Sequence, residues 1–310
     1  MRDFWKKCLL KARSALTSKA SDPPARSHRN RELAKHDINA QQECPLFSKL
    51  SAELRIPIYE AVLTDRDRLL HICMNRREGK EKRTVRPVAH IWCTDQESPF
   101  PPWQHACFGE SVEDLAYETV FCSRSTTTTD DQLLSLLLSC RLVYNEAFPI
   151  LYRGNTFQFR GAPGLSAFTS SISTFHWHFV SHVQISTLHS WDAPPLWAED
   201  RWPPEGQESW EDCCKQLEDL PHLQSLRLDI TFQHYDKPPV PQLTDTTAIN
   251  ALKPLKDIKA KLFEVELNFE PSQELWNRLG HVNFTVVVKQ REQNTEVFGY
   301  QPRLKIGDFD

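Results

Sequence analysis

The chain has 310 residues, of which 40% are hydrophobic and 25% charged, and its formal net charge is −4. This is the composition of a globular chain that can bury a sizeable core, as one large domain or two modest ones. The slight acidity argues against general binding to nucleic acid, and the longest apolar runs fall far short of the ~20 residues that span a bilayer.

The nine cysteines form no C-x-x-C pair, and their odd number suits free thiols in a reducing compartment, cytoplasmic or nuclear. Residues 1–43 carry ten Lys/Arg against five acids and read as a disordered basic tail. Order is expected from CPLFSKLSAELRIPIYEAVL (44–63), with Ser51 as a cap and Leu54, Ile58, Ala61 and Val62 on one helical face. Pro57 falls inside that helix and predicts a late start or a kink.

Asp67 to Met74 and Val85 to Cys93 read as the strands of a hairpin, joined by the charged stretch NRREGKEKR (75–83). His71-x-Cys73 and His90-x-x-Cys93 on facing strands raise the question of a zinc site. Strand alternation puts His90 and Cys93 on opposite faces, so no metal and no cofactor is expected. A Pro-rich SPFPPW loop (98–103) and a polar STTTTDD run (125–131) then serve as connectors.

The longest dense apolar segment follows, LLSLLLSCRLVYNEAFPILYRGNTFQF (133–159). Leu133, Leu137, Cys140, Tyr144, Ala147 and Leu151 alternate by four and three, which predicts one helix opened by a Thr129/Gln132 capping box. Pro149 predicts a kink or a new short helix, Arg153-Gly154-Asn155 a turn, and Thr156 to Phe159 a short strand.

Two stretches carry a family resemblance. Phe47-x-x-Leu50-x-x-Glu53-Leu54-Arg55-x-x-Ile58-Tyr59 resembles the F-x-x-L-P-x-E-L-R-x-x-I-Y opening of an uncharacterised fungal family with an F-box-like N-terminus. Leu138-x-Cys140-Arg141-x-x-Tyr144-x-Glu146-Ala147-x-Pro149-x-Leu151-Tyr152-x-x-Asn155-x-Phe157 resembles its second half. Ser51 departs from the family's Pro. The resemblance implies a helical module over 44–160, interrupted by a β-hairpin insertion at about 64–125. Such a module would dock on the Skp-type linker of a cullin–RING ubiquitin ligase through Leu50, Leu54, Ile58 and Tyr59.

Beyond residue 160 an L-x-x-L-x-L pattern recurs at Val180/Val183/Ile185, Leu223/Leu226/Leu228 and Leu262/Val265/Leu267. Each instance precedes a helical stretch: Trp210 to Leu220, Thr246 to Ile258, and Gln273 to Leu279. Strand, crossover helix and strand in succession imply parallel pairing. The pattern is similar to leucine-rich repeats, though its units exceed the usual length of about 20–29 residues. Val282 to Val288 reads as a last strand. The expected fold is α+β to α/β, with the helical module packed on a short repeat-like layer over 161–310.

Trp191, Trp197 and Trp202 sit on a Pro-rich acidic loop, where rigid aromatic area suits a protein partner. No nucleophile elbow, phosphate loop, H-E-x-x-H or dinucleotide fingerprint occurs. A non-catalytic interaction module is therefore expected, possible substrate adaptor of a ubiquitin ligase. The alternatives are a stand-alone interaction protein and an unrecognised hydrolase or metal enzyme.

Overall fold

Alternating side chains along the strands of one sheet divide the second of two units into an apolar and a polar half. The computed structural model describes residues 44–75, 88–105, 107, 122–123, 133–190, 206–233 and 245–292. Contacts separate two units: Met1–Val62 with Gln132–Phe148, and Leu63–Asp131 with Pro149–Asp310.

The second unit is a mixed α/β sheet. Its strands are β1 (Leu69–Asn75), β2 (Val88–Trp92), β3 (Cys122–Ser123), β4 (Thr156–Arg160), β5 (His182–Ser190), β6 (Ser225–Gln233), β7 (Leu262–Leu267) and β8 (Thr285–Val288). They lie in the order β2-β1-β4-β5-β6-β7-β8, with β3 paired to β1. Among the described residues only the β1–β2 pair is antiparallel. The hairpin expected as an insertion in a helical module is thus part of the main sheet. The expected boundary at residue 160 is also absent, because β4 and β5 are parallel neighbours.

From β4 onward the strands sit in chain order, and right-handed crossovers in one direction put their helices on one face. The connecting helices are α5 (Gly161–Ser171), α6 (Thr174–Trp177), α7 (Gln207–Glu218), α8 (Asp245–Leu252) and α9 (Gln273–Leu279), numbered after four in the first unit and the chain segment leading from it. The register aligns Leu70, Phe157, Val183, Leu226 and Phe263 across the sheet, and Ile72, Phe159, Ile185, Leu228 and Val265 in the next row. All ten side chains are buried. Indole donors tie neighbouring helices together: Trp210 Nε1 bonds Ala251 O at 2.8 Å and Trp177 Nε1 bonds Gln216 O at 3.2 Å.

This register corrects the phase of the third repeat. Leu226 and Leu228 pair with Phe263 and Val265, whereas the Leu262-based pattern lies two residues later. Leu262 is accordingly 71% exposed. Ala260 and Phe263 occupy the positions equivalent to Leu223 and Leu226, so the leucine spacing of this unit is out of step with its register.

The opposite face carries His71, Gln158, Arg160, Gln184, Ser186, Asp229, Thr231 and Glu266, all buried. A 3-10 turn at Pro102–Gln104 packs against β4 and β5. Trp103 N donates to Ser186 Oγ (3.2 Å), Trp103 Nε1 to Thr231 Oγ1 (3.4 Å), and Arg160 Nε to Trp103 O (2.6 Å). The Pro-rich segment read as a connector is therefore a fixed strap across the polar face.

The four earlier helices are α1 (Pro45–Ser48), α2 (Ala52–Leu63), α3 (Leu133–Leu137) and α4 (Arg141–Gly154). The single helix expected from Leu133 is broken at 138–140. Cys140 restarts it, its carbonyl accepting from Tyr144 N (3.0 Å) and its Sγ from Val143 N (3.4 Å). Pro57 and Pro149 both lie within continuous helices. The Thr129/Gln132 box and the basic hairpin tip lie outside the described residues.

Candidate functional site

Within the first unit, the polar residues of the two signature halves meet. Arg55 forks onto Glu146, Nε to Oε2 at 2.9 Å and Nη2 to Oε1 at 2.5 Å. Tyr59 donates its hydroxyl to Glu146 Oε2 at 3.0 Å, and Arg55 Nη1 donates to Leu50 O at 2.7 Å. The Arg55 hydrogen bonds hold the Glu146 carboxyl below the usual carboxylate range. Burial first, then the bond to Glu146, pushes the Tyr59 phenol up. The i, i+4, i+8 row Arg55, Tyr59, Leu63 is the buried row of α2.

This reverses the expected face. Leu54 is 57% and Val62 47% exposed, Pro57 and Ala61 are exposed, and Ile58 is half-buried. Those five positions form a continuous apolar stripe on the helix surface. Of the residues expected to meet a partner, Leu54 and Ile58 lie on the stripe and Leu50 is half-buried. Tyr59 is fully buried and engaged with Glu146, so it braces the helix and presents nothing to a partner. Trp191, Trp197 and Trp202 lie outside the described residues. Trp210, at the end of their stretch, is a core residue with no exposed surface.

In the second unit, the polar face gathers His71, Cys93, His105 and Cys107, whose ligand atoms all lie within 4.8 Å of one another. The first three are buried and Cys107 is half-buried. Register explains the pairing of the first two. His71 stands opposite Ile91, and Cys93 N bonds Leu69 O at 2.8 Å, extending the ladder one pair beyond β2. His71 and Cys93 are thus diagonal neighbours on one face, while His90, opposite Ile72, points away. Alternation does separate His90 from Cys93, as the sequence implied. The strap supplies the other two groups, His105 and Cys107.

Gln158 Nε2 donates to Phe159 O at 2.9 Å, which turns its Oε1 toward His71 Nδ1 at 2.5 Å. Nδ1 therefore carries the ring proton, and the basic lone pair of His71 is on Nε2. His105 Nδ1 is 3.4 Å from Cys93 Sγ, and the two imidazoles stand edge to face with centroids 5.6 Å apart. The Cys107 hydrogen bond, followed by those from His105 and His71, holds the Cys93 thiol far below its ordinary range. Cys107 is pushed up by the same contact with Cys93 and by burial.

Farther along the same face, Arg291 forks onto Glu266, with Nη2 at 2.9 Å, and Arg227 Nη2 reaches Glu266 Oε2 at 2.8 Å. Asp229 lies beside this group, and burial followed by the Glu266 charge raises its carboxyl to about 7. Asp229, Glu266 and Arg291 line a pocket with Pro101 and Thr231.

No helix among the described residues is long and apolar enough to cross a membrane. A family model described as a domain of unknown function, DUF7730, matches residues 39–289. No curated protein and no solved structure matches the chain.

Proposed function

Since the chain belongs to the DUF7730 family, whose description states no function, we propose from its geometry a non-catalytic interaction protein, an F-box-like adaptor that docks a Skp-type linker of a cullin–RING ubiquitin ligase. The observation that supports this reading is the apolar stripe of α2: Leu54, Pro57, Ile58, Ala61 and Val62. A helix used only as core would turn these residues inward, whereas here the fork of Arg55 and Glu146 fixes the opposite row. The exposed row offers i, i+3, i+4, i+7 anchors, the pattern by which one amphipathic helix seats against a partner's groove. Target binding falls to the rest of the chain.

The test is co-purification of the full chain with the Skp-type linker, beside a Leu54→Asp, Val62→Asp double variant. Both side chains are well exposed, so the variant keeps its fold, as circular dichroism will check. Wild-type retention at micromolar concentration, with a loss of more than about tenfold in the variant, is expected for anchor residues of this kind. A wild type that leaves the linker unbound at that concentration refutes the adaptor reading.

A further inference from the structure

We propose that His71, Cys93, His105 and Cys107 form a structural zinc site that fastens the 101–107 strap to the polar face of the sheet. The proposal is independent of the adaptor reading and rests on the donor set, the geometry and the second layer around it.

The donors are two sulfurs and two imidazole nitrogens, a set that suits zinc and closes a tetrahedron with no open position. Bond lengths of about 2.0–2.1 Å to nitrogen and 2.3 Å to sulfur give tetrahedral edges of about 3.3–3.8 Å. The Cys93 Sγ to His105 Nδ1 separation of 3.4 Å falls at that value, and every other pair lies within 4.8 Å. Small side-chain adjustments close the remainder. The Gln158 amide fixes the His71 tautomer that leaves Nε2 free of a proton, the usual arrangement behind a ligating histidine. Two thiolates and two neutral imidazoles around a divalent ion carry no net charge, which fits a site with three of its four ligands buried. On binding, the thiol protons leave to solvent.

A bland alternative is a cluster of mutually hydrogen-bonded side chains. The convergence of four soft and borderline donors, from three separate segments and with no carboxylate among them, goes beyond what packing requires. A closed site also gives the strap a purpose. Its three hydrogen bonds to Ser186, Thr231 and Arg160 hold the Trp103 end, and the metal would hold the His105 end.

The full chain, produced in zinc-supplemented cells and purified under reducing conditions, is to be measured for metal by inductively coupled plasma mass spectrometry. The expected result is about one zinc per chain. After removal by a chelator, titration with cobalt should give the intense visible bands of a tetrahedral ion and thiolate-to-cobalt charge transfer. Cys107→Ser, at the half-buried ligand, should lose zinc, and His90→Ala, on the opposite face, should retain it. Absence of zinc together with absence of a cobalt spectrum overturns the proposal. So does a Cys93–Cys107 disulfide as the state of the reduced-cell protein, or full zinc content in folded Cys107→Ser. Should that variant fail to fold, the wild-type cobalt spectrum still decides. None of these readouts depends on linker capture.

Discussion

Replacing Glu146 with Ala removes three hydrogen bonds at once, two from Arg55 and one from Tyr59. It leaves the Arg55 guanidinium, whose side chain is only 10% exposed, with the carbonyl of Leu50 and the face of the Phe47 ring and no countercharge from Glu146. Exposed ion pairs contribute at most about 1 kcal/mol, whereas breaking a buried pair costs about 3–5 kcal/mol because a charge is stranded. With side-chain exposures of 10% and 19% this pair lies near the buried limit, so Glu146→Ala should cost about 3 kcal/mol. A double-mutant cycle with Arg55→Ala, read by urea unfolding at constant m-value, should return a coupling of about 2–3 kcal/mol. The depressed Glu146 pKa adds a sign. The contribution is complete above the unfolded value of 4.5 and is lost as pH falls through the lower folded value, so the coupling should fade on acidification. A coupling under about 0.5 kcal/mol at neutral pH would mean that the fork is a solvated surface pair, and the account of why α2 turns its apolar row outward would fail with it.

A Cβ on Gly154 would lie 2.4 Å from Thr64 Cγ2, so Gly154→Ala should destabilise the chain by about 1–3 kcal/mol in thermal or urea melts. In a Thr64→Ser background, which removes that methyl and leaves the Thr64 Cβ at 3.3 Å, the penalty of the same substitution should shrink. Asp229, with Glu266, Arg227, Arg291 and Thr231 around it, holds its proton up to about pH 7 in the fold against 3.8 as the ordinary value. The folded state thus binds the extra proton between those values, and stability should fall as pH rises through that window. Asp229→Asn should flatten the fall, as melts across the range will show. Gln158→Leu should weaken metal affinity by about 10–100-fold in the cobalt titration, since it releases the His71 ring.

Much of the sheet was legible because strand alternation is local. β6, β7, β8 and helix α9 fall where the apolar pattern placed them, and the succession of strand and helix gave the parallel pairing. What local pattern could not supply was the partner of each face. Leu54, Ile58, Ala61 and Val62 have the spacing of a core row, and only the bond from Arg55 to Glu146, 91 positions away, decides that the adjacent row turns in. Likewise, His71 and Cys93 were visible as candidates. Their companions were hidden because a Pro-rich run reads as a connector, and nothing in its composition says that it crosses a sheet. The H-x-C spacing of His105 and Cys107 was the available signal.

The chain leaves its first unit at residue 62, builds three strands, returns at 132, and leaves again after 148. That path has a consequence for synthesis on the ribosome. Joining Arg55 to Glu146 closes a loop of 91 positions, about 2 kcal/mol costlier in chain entropy than a loop of about ten. The first hairpin meanwhile waits for β4, since Leu69 pairs with Thr156. Neither unit can therefore mature while the nascent chain is short of α4 and β4, and for that interval the apolar rows of both stand open to chaperones. A fragment meant to keep the sheet whole has to run from before Leu69 to beyond Val288.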